Sequence, residues 1–181
     1  MIKTVTFAAL ALTVSAFAVS ANAQDAAPTA APKGYFQVGA ANANFSGDNF
    51  AAVEFGVGFN LSKHFAVEAD GDVGVSDKTY RVSGVDVKAK LDYAVGAFVV
   101  GTLPVSANVD LLGRVGYVKA QIKASAGGYS ATGSNSGAAY GVGVRYFPNG
   151  GINGVRADVT HFDLGSDSSG ELYQVSFIRK F

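Results

Sequence analysis

Residues 171–181 read ELYQVSFIRKF, and counting back by twos from the end sorts them into two faces. Tyr173, Val175, Phe177, Arg179 and Phe181 form one face, and Leu172, Gln174, Ser176, Ile178 and Lys180 form the other. One face is mostly large and apolar and the other mostly polar, which is the period of a β-strand. The fold therefore turns on what the apolar face meets, a protein core or a lipid bilayer.

The N-terminal end separates from the rest by composition. Residues 1–23 carry an early Lys3, an apolar run over 5–21 and Ala-Asn-Ala before Gln24, the pattern of a cleavable signal peptide. Residues 24–33, QDAAPTAAPK, form an Ala/Pro-rich leader without periodicity. Removing 1–23 takes out Lys3 alone, so 14 basic and 14 acidic side chains become 13 and 14. That balance offers no nucleic-acid footprint. The absence of cysteine excludes a disulfide framework, a thiolate metal site and a cysteine nucleophile. A secreted domain without disulfides needs other support, which a closed barrel supplies by pairing every strand edge.

After Ala23 no apolar run is long enough for a membrane helix, although 49% of residues are hydrophobic and the mean hydropathy is +0.23. The apolar residues are dispersed by alternation. Strands are expected over 35–44, 50–61, 65–75, 87–101, from 109 past Tyr117, 138–146, about 155–161, and 171–181. The cleanest sets Ala51, Val53, Phe55, Val57 and Phe59 against Ala52, Glu54, Gly56, Gly58 and Asn60. In the fourth, Leu91, Tyr93, Val95, Ala97 and Val99 oppose Lys88, Lys90, Asp92 and Gly96. The Gly/Ser-rich stretch 124–137 reads as the longest loop. Eight strands with alternating short and longer connections predict an all-β fold, an eight-stranded antiparallel transmembrane β-barrel over 34–181. Phe59, Phe65, Tyr146 and Phe181 would girdle one rim, and Phe50, Tyr117, Tyr140 and Tyr173 the other.

A soluble barrel around a ligand is the competing architecture. Turning the apolar faces outward decides against it. Gly56, Gly58, Gly96, Gly141 and Gly143 then point into a narrow lumen with little room. The acids Glu54, Glu68, Asp70, Asp72, Asp92, Asp110 and Asp158 face the bases Lys88, Lys90, Arg114, Arg145 and Arg156, and buried charges need such partners.

The signal peptide, the Gly- and aromatic-rich alternating strands, GVGVRYF at 141–147 and the terminal Phe together resemble the small outer-membrane β-barrel proteins. These comprise the OmpA/OmpX-type membrane domains and the opacity-type, porin-like family, and the resemblance covers about 34–181. It implies the bacterial outer membrane as location, with membrane lipid and lipopolysaccharide as surroundings. It also implies barrel-assembly machinery and periplasmic chaperones as biogenesis partners, with Tyr173, Val175, Phe177, Arg179 and Phe181 as the assembly signal. A monomer is expected.

The search for chemistry yields little. His64 lies in a turn, and His161 lies near a rim with Asp163 where the small-barrel deacylases carry a serine. Glu68, Asp70 and Asp72 suggest calcium, but the bases in the same lumen favour salt bridges. The Gly-Val-Gly motifs at 56–58 and 141–143 lie inside strands and are not nucleotide fingerprints. No cofactor, no metal and no catalytic residue is expected. The sequence points to a structural, envelope-integrity role with surface loops and a lumen plugged by salt bridges. A narrow porin-like channel is the alternative, and a lipid A-modifying hydrolase or acyltransferase the third reading.

Overall fold

The computed structural model describes residues 33–45, 47–82, 84–165 and 169–181. The expected signal peptide and all of the leader except Lys33 lie outside them. The strands are β1 (Gly34–Phe45), β2 (Asp48–Asn60), β3 (Phe65–Gly74), β4 (Asp77–Val82), β5 (Val85–Pro104), β6 (Val109–Ala126), β7 (Tyr129–Tyr146), β8 (Asn153–Asp163) and β9 (Ser169–Lys180). All pair antiparallel with their neighbours. Two junctions close the sheet: β1 runs beside β9 from Tyr35↔Lys180 to Phe45↔Gly170, and β3 runs beside β5 from Phe65↔Gly101 to Val73↔Tyr93. Eight strands form the barrel, and the short β4 pairs only with the start of β5.

The apolar outer face follows from the alternation. Phe55, Val57, Val115, Val142 and Val175 are exposed, while Glu54 and Arg156 on the opposite face are almost completely buried. This is the reverse of a water-soluble protein, and it places lipid outside. The connections 61–64, 105–108 and 147–152 and both ends of the barrel lie at one rim, the periplasmic one in this architecture. There Phe181 and Gly34 exchange backbone hydrogen bonds of 2.9 and 3.1 Å, continuing the β1–β9 seam to the last residue.

Crossing a bilayer takes about 9–11 residues of a tilted strand. β5 has 20, and β6 and β7 have 18 each, so their extracellular halves project beyond the membrane. Most of the expected loop 124–137 is therefore strand: β6 and β7 pair without a break to Ala126↔Tyr129, joined by Gly127 and Gly128. Both glycines have positive φ, +56° and +87°, the backbone that a two-residue hairpin turn demands. Small polar residues suit a two-sided solvated sheet as well as a loop, which is why composition alone misleads here. Pairing of β7 with β8 stops at Ala138↔Asp163, so residues 129–137 carry one unpaired edge.

Two further expectations change. Phe50 belongs to no girdle, being buried inside the barrel with its ring 6.1 Å from that of Phe45. Leu91 is also buried instead of lipid-facing, because β5 bulges at Asp92: Leu91 faces Ile122 and Tyr93 faces Gln121, leaving one extra residue between. A single inserted residue exchanges the two faces of a strand beyond it.

Candidate functional site

The interior is the chemically dense part of the molecule. Glu68, Asp70 and Asp72 come from successive inward positions of β3, Arg114 from β6, Arg156 and Asp158 from β8, and Glu54 from β2, all buried. The Arg156 guanidinium is the hub. Its Nε and Nη2 donate to the two Asp158 carboxylate oxygens at 2.6 and 3.0 Å, and its Nη1 donates to Gln37 Oε1 at 2.8 Å. It also holds Glu68 in a two-pronged contact. Across the lumen Arg114 donates to Asp70, lies 3.4 Å from Glu68, and stacks 3.6 Å above the Phe98 ring. Glu68 therefore lies between two guanidiniums, and Tyr35 donates to it at 2.6 Å. Lumen room is scarce: a Cβ on Gly58 would stand 2.2 Å from the Tyr35 ring.

Arg145 lies nearer the periplasmic rim, where it donates to Thr102 at 2.8 Å and faces the partly exposed Asp110 at 3.6 Å. Lys180 caps the Phe147 ring there at 3.4 Å. Toward the other rim the interior becomes apolar, with Ala43, Phe45, Leu91, Phe98, Phe162 and Leu164 over the charged layer.

The bulge at Asp92 removes three expected members from this network. With Leu91 turned inward, Lys88 and Lys90 fall on the outer face, 62% and 45% exposed, and approach Asp77 and Asp92 at 3.9 Å each. Asp92 itself accepts a hydrogen bond from Gln121 at 3.0 Å. Strict alternation, which served elsewhere, cannot register an inserted residue. Conversely, Tyr35, Gln37 and Ser176 take part in the buried hydrogen bonds although no charge pattern singles them out. Their signal is only that Gln37 and Ser176 are polar residues on inward positions.

The expelled lysines join others. Lys90 stands opposite Lys123 on β6, and Lys119 lies on the same outer face, two residues past Tyr117. The neighbouring hairpin is tied down by Tyr80, whose hydroxyl donates to Asp48 at 2.5 Å, a bond that raises the Tyr80 phenol above its ordinary pKa.

Tyr173, Val175, Phe177 and Arg179 face outward on β9, and Phe181, just past its end, is exposed as well. Phe177 meets Phe36, and Phe181 meets Phe59 edge-on, both with ring centres 6.4 Å apart. His64 is exposed, its Nδ1 3.2 Å from the Thr102 carbonyl oxygen. His161 faces Tyr140 with ring centres 5.2 Å apart, and Asp163 accepts a hydrogen bond from the Gly165 amide. Among the described residues the Ser62 hydroxyl accepts a hydrogen bond from the His64 backbone amide at 3.2 Å, but no serine hydroxyl bonds to either imidazole ring, and no three acidic or imidazole side chains converge as a metal site.

A family model described as "Outer membrane protein beta-barrel domain" matches residues 9–181. The solved structures that share the fold include three small barrels. Ail, the attachment invasion locus protein of Yersinia pestis in complex with the heparin analogue sucrose octasulfate, is 19% identical with a TM-score of 0.61, covering 82% of this chain and 97% of that one. Neisserial surface protein A is 17% identical with a TM-score of 0.62 and the same coverages, 82% and 97%. The N-terminal barrel domain of Pseudomonas aeruginosa OprF is 9% identical with a TM-score of 0.57, covering 81% and 97%. Among curated proteins none matches.

Proposed function

The chain belongs to the outer membrane protein β-barrel domain family, and from that premise we propose that it is a non-conducting structural barrel of the bacterial outer membrane, fastened in the outer leaflet through its projecting sheet. The observation that carries this reading is the side-chain layer across the lumen. Arg156 and Arg114, from β8 and β6, both contact Glu68 of β3 across the interior, and Tyr35 and Gln37 close on this group from β1. An eight-stranded barrel is just wide enough for side chains to fill. Opening a water path would separate buried opposite charges, which is strongly unfavourable.

The outer face supplies the contact with lipopolysaccharide. Tyr117, Tyr140 and Tyr173 mark the extracellular end of the apolar wall, as aromatic residues do at a membrane interface. Immediately beyond Tyr117 come Lys119 and Lys123, with Lys90 and Lys88 alongside on β5. A row of ammonium groups at headgroup height suits the phosphates of the outer leaflet. Such contacts are electrostatic and weaken with salt. The unpaired edge of residues 129–137 is available for further contacts outside the membrane.

Conductance in a planar bilayer tests the closed lumen. A folded, refolded mature barrel is expected to give no steady current steps, and regular steps would put the porin-like reading in its place. The outward row ending at Phe181 serves, in this proposal, as the signal for assembly. Deleting Phe181 is expected to slow insertion into the outer membrane, and normal insertion of the shortened chain would remove that role.

A further inference from the structure

The periplasmic mouth of the lumen gathers positive charge. Below the closed layer lies a vestibule of about 400 Å³, lined by Lys33, Lys63, Arg145 and Lys180, with Asp110 as its one acid. Four cations therefore share one carboxylate. Asp110 stands 3.6 Å from Arg145 and is itself partly exposed. Among the described residues no carboxylate comes within ion-pair distance of the three lysines.

The cations differ in what they need. Lys33 and Lys63 are exposed, so water serves them and their charge alone calls for no partner. Arg145 is only 5% exposed. Its Nη2 donates to Thr102, its Nε is sealed from water without a hydrogen-bond partner, and its Nη1 makes no bond among the described residues. A buried guanidinium with most of its five N–H donors unused is costly unless an acceptor reaches it. The Tyr35 ring, 5.4 Å away, offers only its π face. Lys180, half-buried against Phe147, lies within electrostatic range of Arg145 and adds repulsion.

We infer that this vestibule binds an anion of the phosphate class, a phosphate monoester in preference to a carboxylate, with Arg145 at its base and Lys180, Lys33 and Lys63 around it. Asp110 already supplies one carboxylate, and four cations against it leave three positive charges. A monoester carries about 1.5 to 2 negative charges at neutral pH and three acceptor oxygens, so it meets donors on several sides at once. Arginine recognises such a group through directed donors and lysine as a point charge. The space exceeds what a bare phosphate ion fills, and Tyr35, Phe65 and Pro104 add apolar surface to its wall, which suits an organic body attached to the phosphate. The site lies across the charged layer from the outer leaflet, so it does not depend on the lysine row that faces lipopolysaccharide.

The test is titration calorimetry of the refolded mature barrel in an uncharged detergent, at constant ionic strength over a chloride background. The probes are inorganic phosphate, glycerol phosphate and acetate. Both phosphates should bind saturably, one per barrel, and acetate more weakly. Arg145→Gln should cut phosphate affinity about tenfold or more. Lys33→Gln combined with Lys63→Gln, at exposed positions that do not burden folding, should weaken it severalfold and flatten its salt dependence. Asp110→Asn, which frees the guanidinium and removes a like charge, should strengthen it, a gain that a merely structural arginine would not give. Phosphatidylglycerol added to the detergent distinguishes the sources: competition with glycerol phosphate would identify a membrane headgroup as the bearer of the phosphate, and indifference a soluble ester. No saturable binding, acetate binding as tight as phosphate, or an affinity unmoved by both the lysine pair and Asp110→Asn would each overturn the proposal.

Discussion

The membrane-spanning wall and the projecting sheet are built from the same strands but obey different rules. In the wall, as along β2 and β8, every second residue meets lipid and every other one meets a filled interior, so a shift of one residue would place charges in hydrocarbon. Above the hydrocarbon, β4 and the outer halves of β5, β6 and β7 have polar surroundings on the outer face, while inward side chains as far as Leu91 and Ala120 stay buried. There a bulge at Asp92 is tolerated, Gly and Ser fill strand positions, and lysines sit where valines sit lower down on the same face. The solvent on the outer face sets the strictness of the pattern.

The largest expected effect comes from the wall's interior. Arg156→Ala would leave Glu68 and Asp158 buried without their guanidinium, and loss of one partner from such a network costs about 3–5 kcal/mol. Urea unfolding in detergent measures it, and a midpoint equal to wild type would show that the lumen network does not hold the barrel. A paired comparison on the outer face comes next. Val57→Arg, on the lipid-facing wall, is expected to cost roughly 2–4 kcal/mol. Val85→Arg, equally apolar and exposed but on the projecting sheet, should stay within about 0.5 kcal/mol. Similar costs at both positions would erase the boundary drawn between the regions. The smallest effect on stability is expected for Lys90→Glu combined with Lys123→Glu. Unfolding should be unchanged, while binding to lipopolysaccharide vesicles weakens and loses much of its salt dependence. Unaltered binding would detach the lysine row from the proposed lipid contact.

The legibility of the molecule divides along the same line. In the wall, each large apolar residue of β2, from Val53 to Phe59, could be assigned to lipid and Glu54 to the interior by counting, since the environment enforces period two. At Leu91 counting failed, because nothing in DVKAKLDYAV marks which residue is inserted. The identity of the extra residue depends on how β3 and β6 pair on either side of β5. Residues 129–137 were illegible for a related reason: a two-sided solvated strand makes no demand on side-chain type, so its Gly and Ser read as loop.

By itself the sequence determined that this chain is a barrel with its apolar side outward, because burying one face and exposing the other to lipid leaves a periodic imprint on every strand. Only the tertiary structure decided which charges share the interior. Lys88 and Lys90 differ from Arg114 and Arg156 not in residue chemistry or apparent phase but in standing beyond a bulge. Ion pairing joins residues up to 88 positions apart, as with Glu68 and Arg156, and is set by strand register. That long-range geometry leaves no local trace.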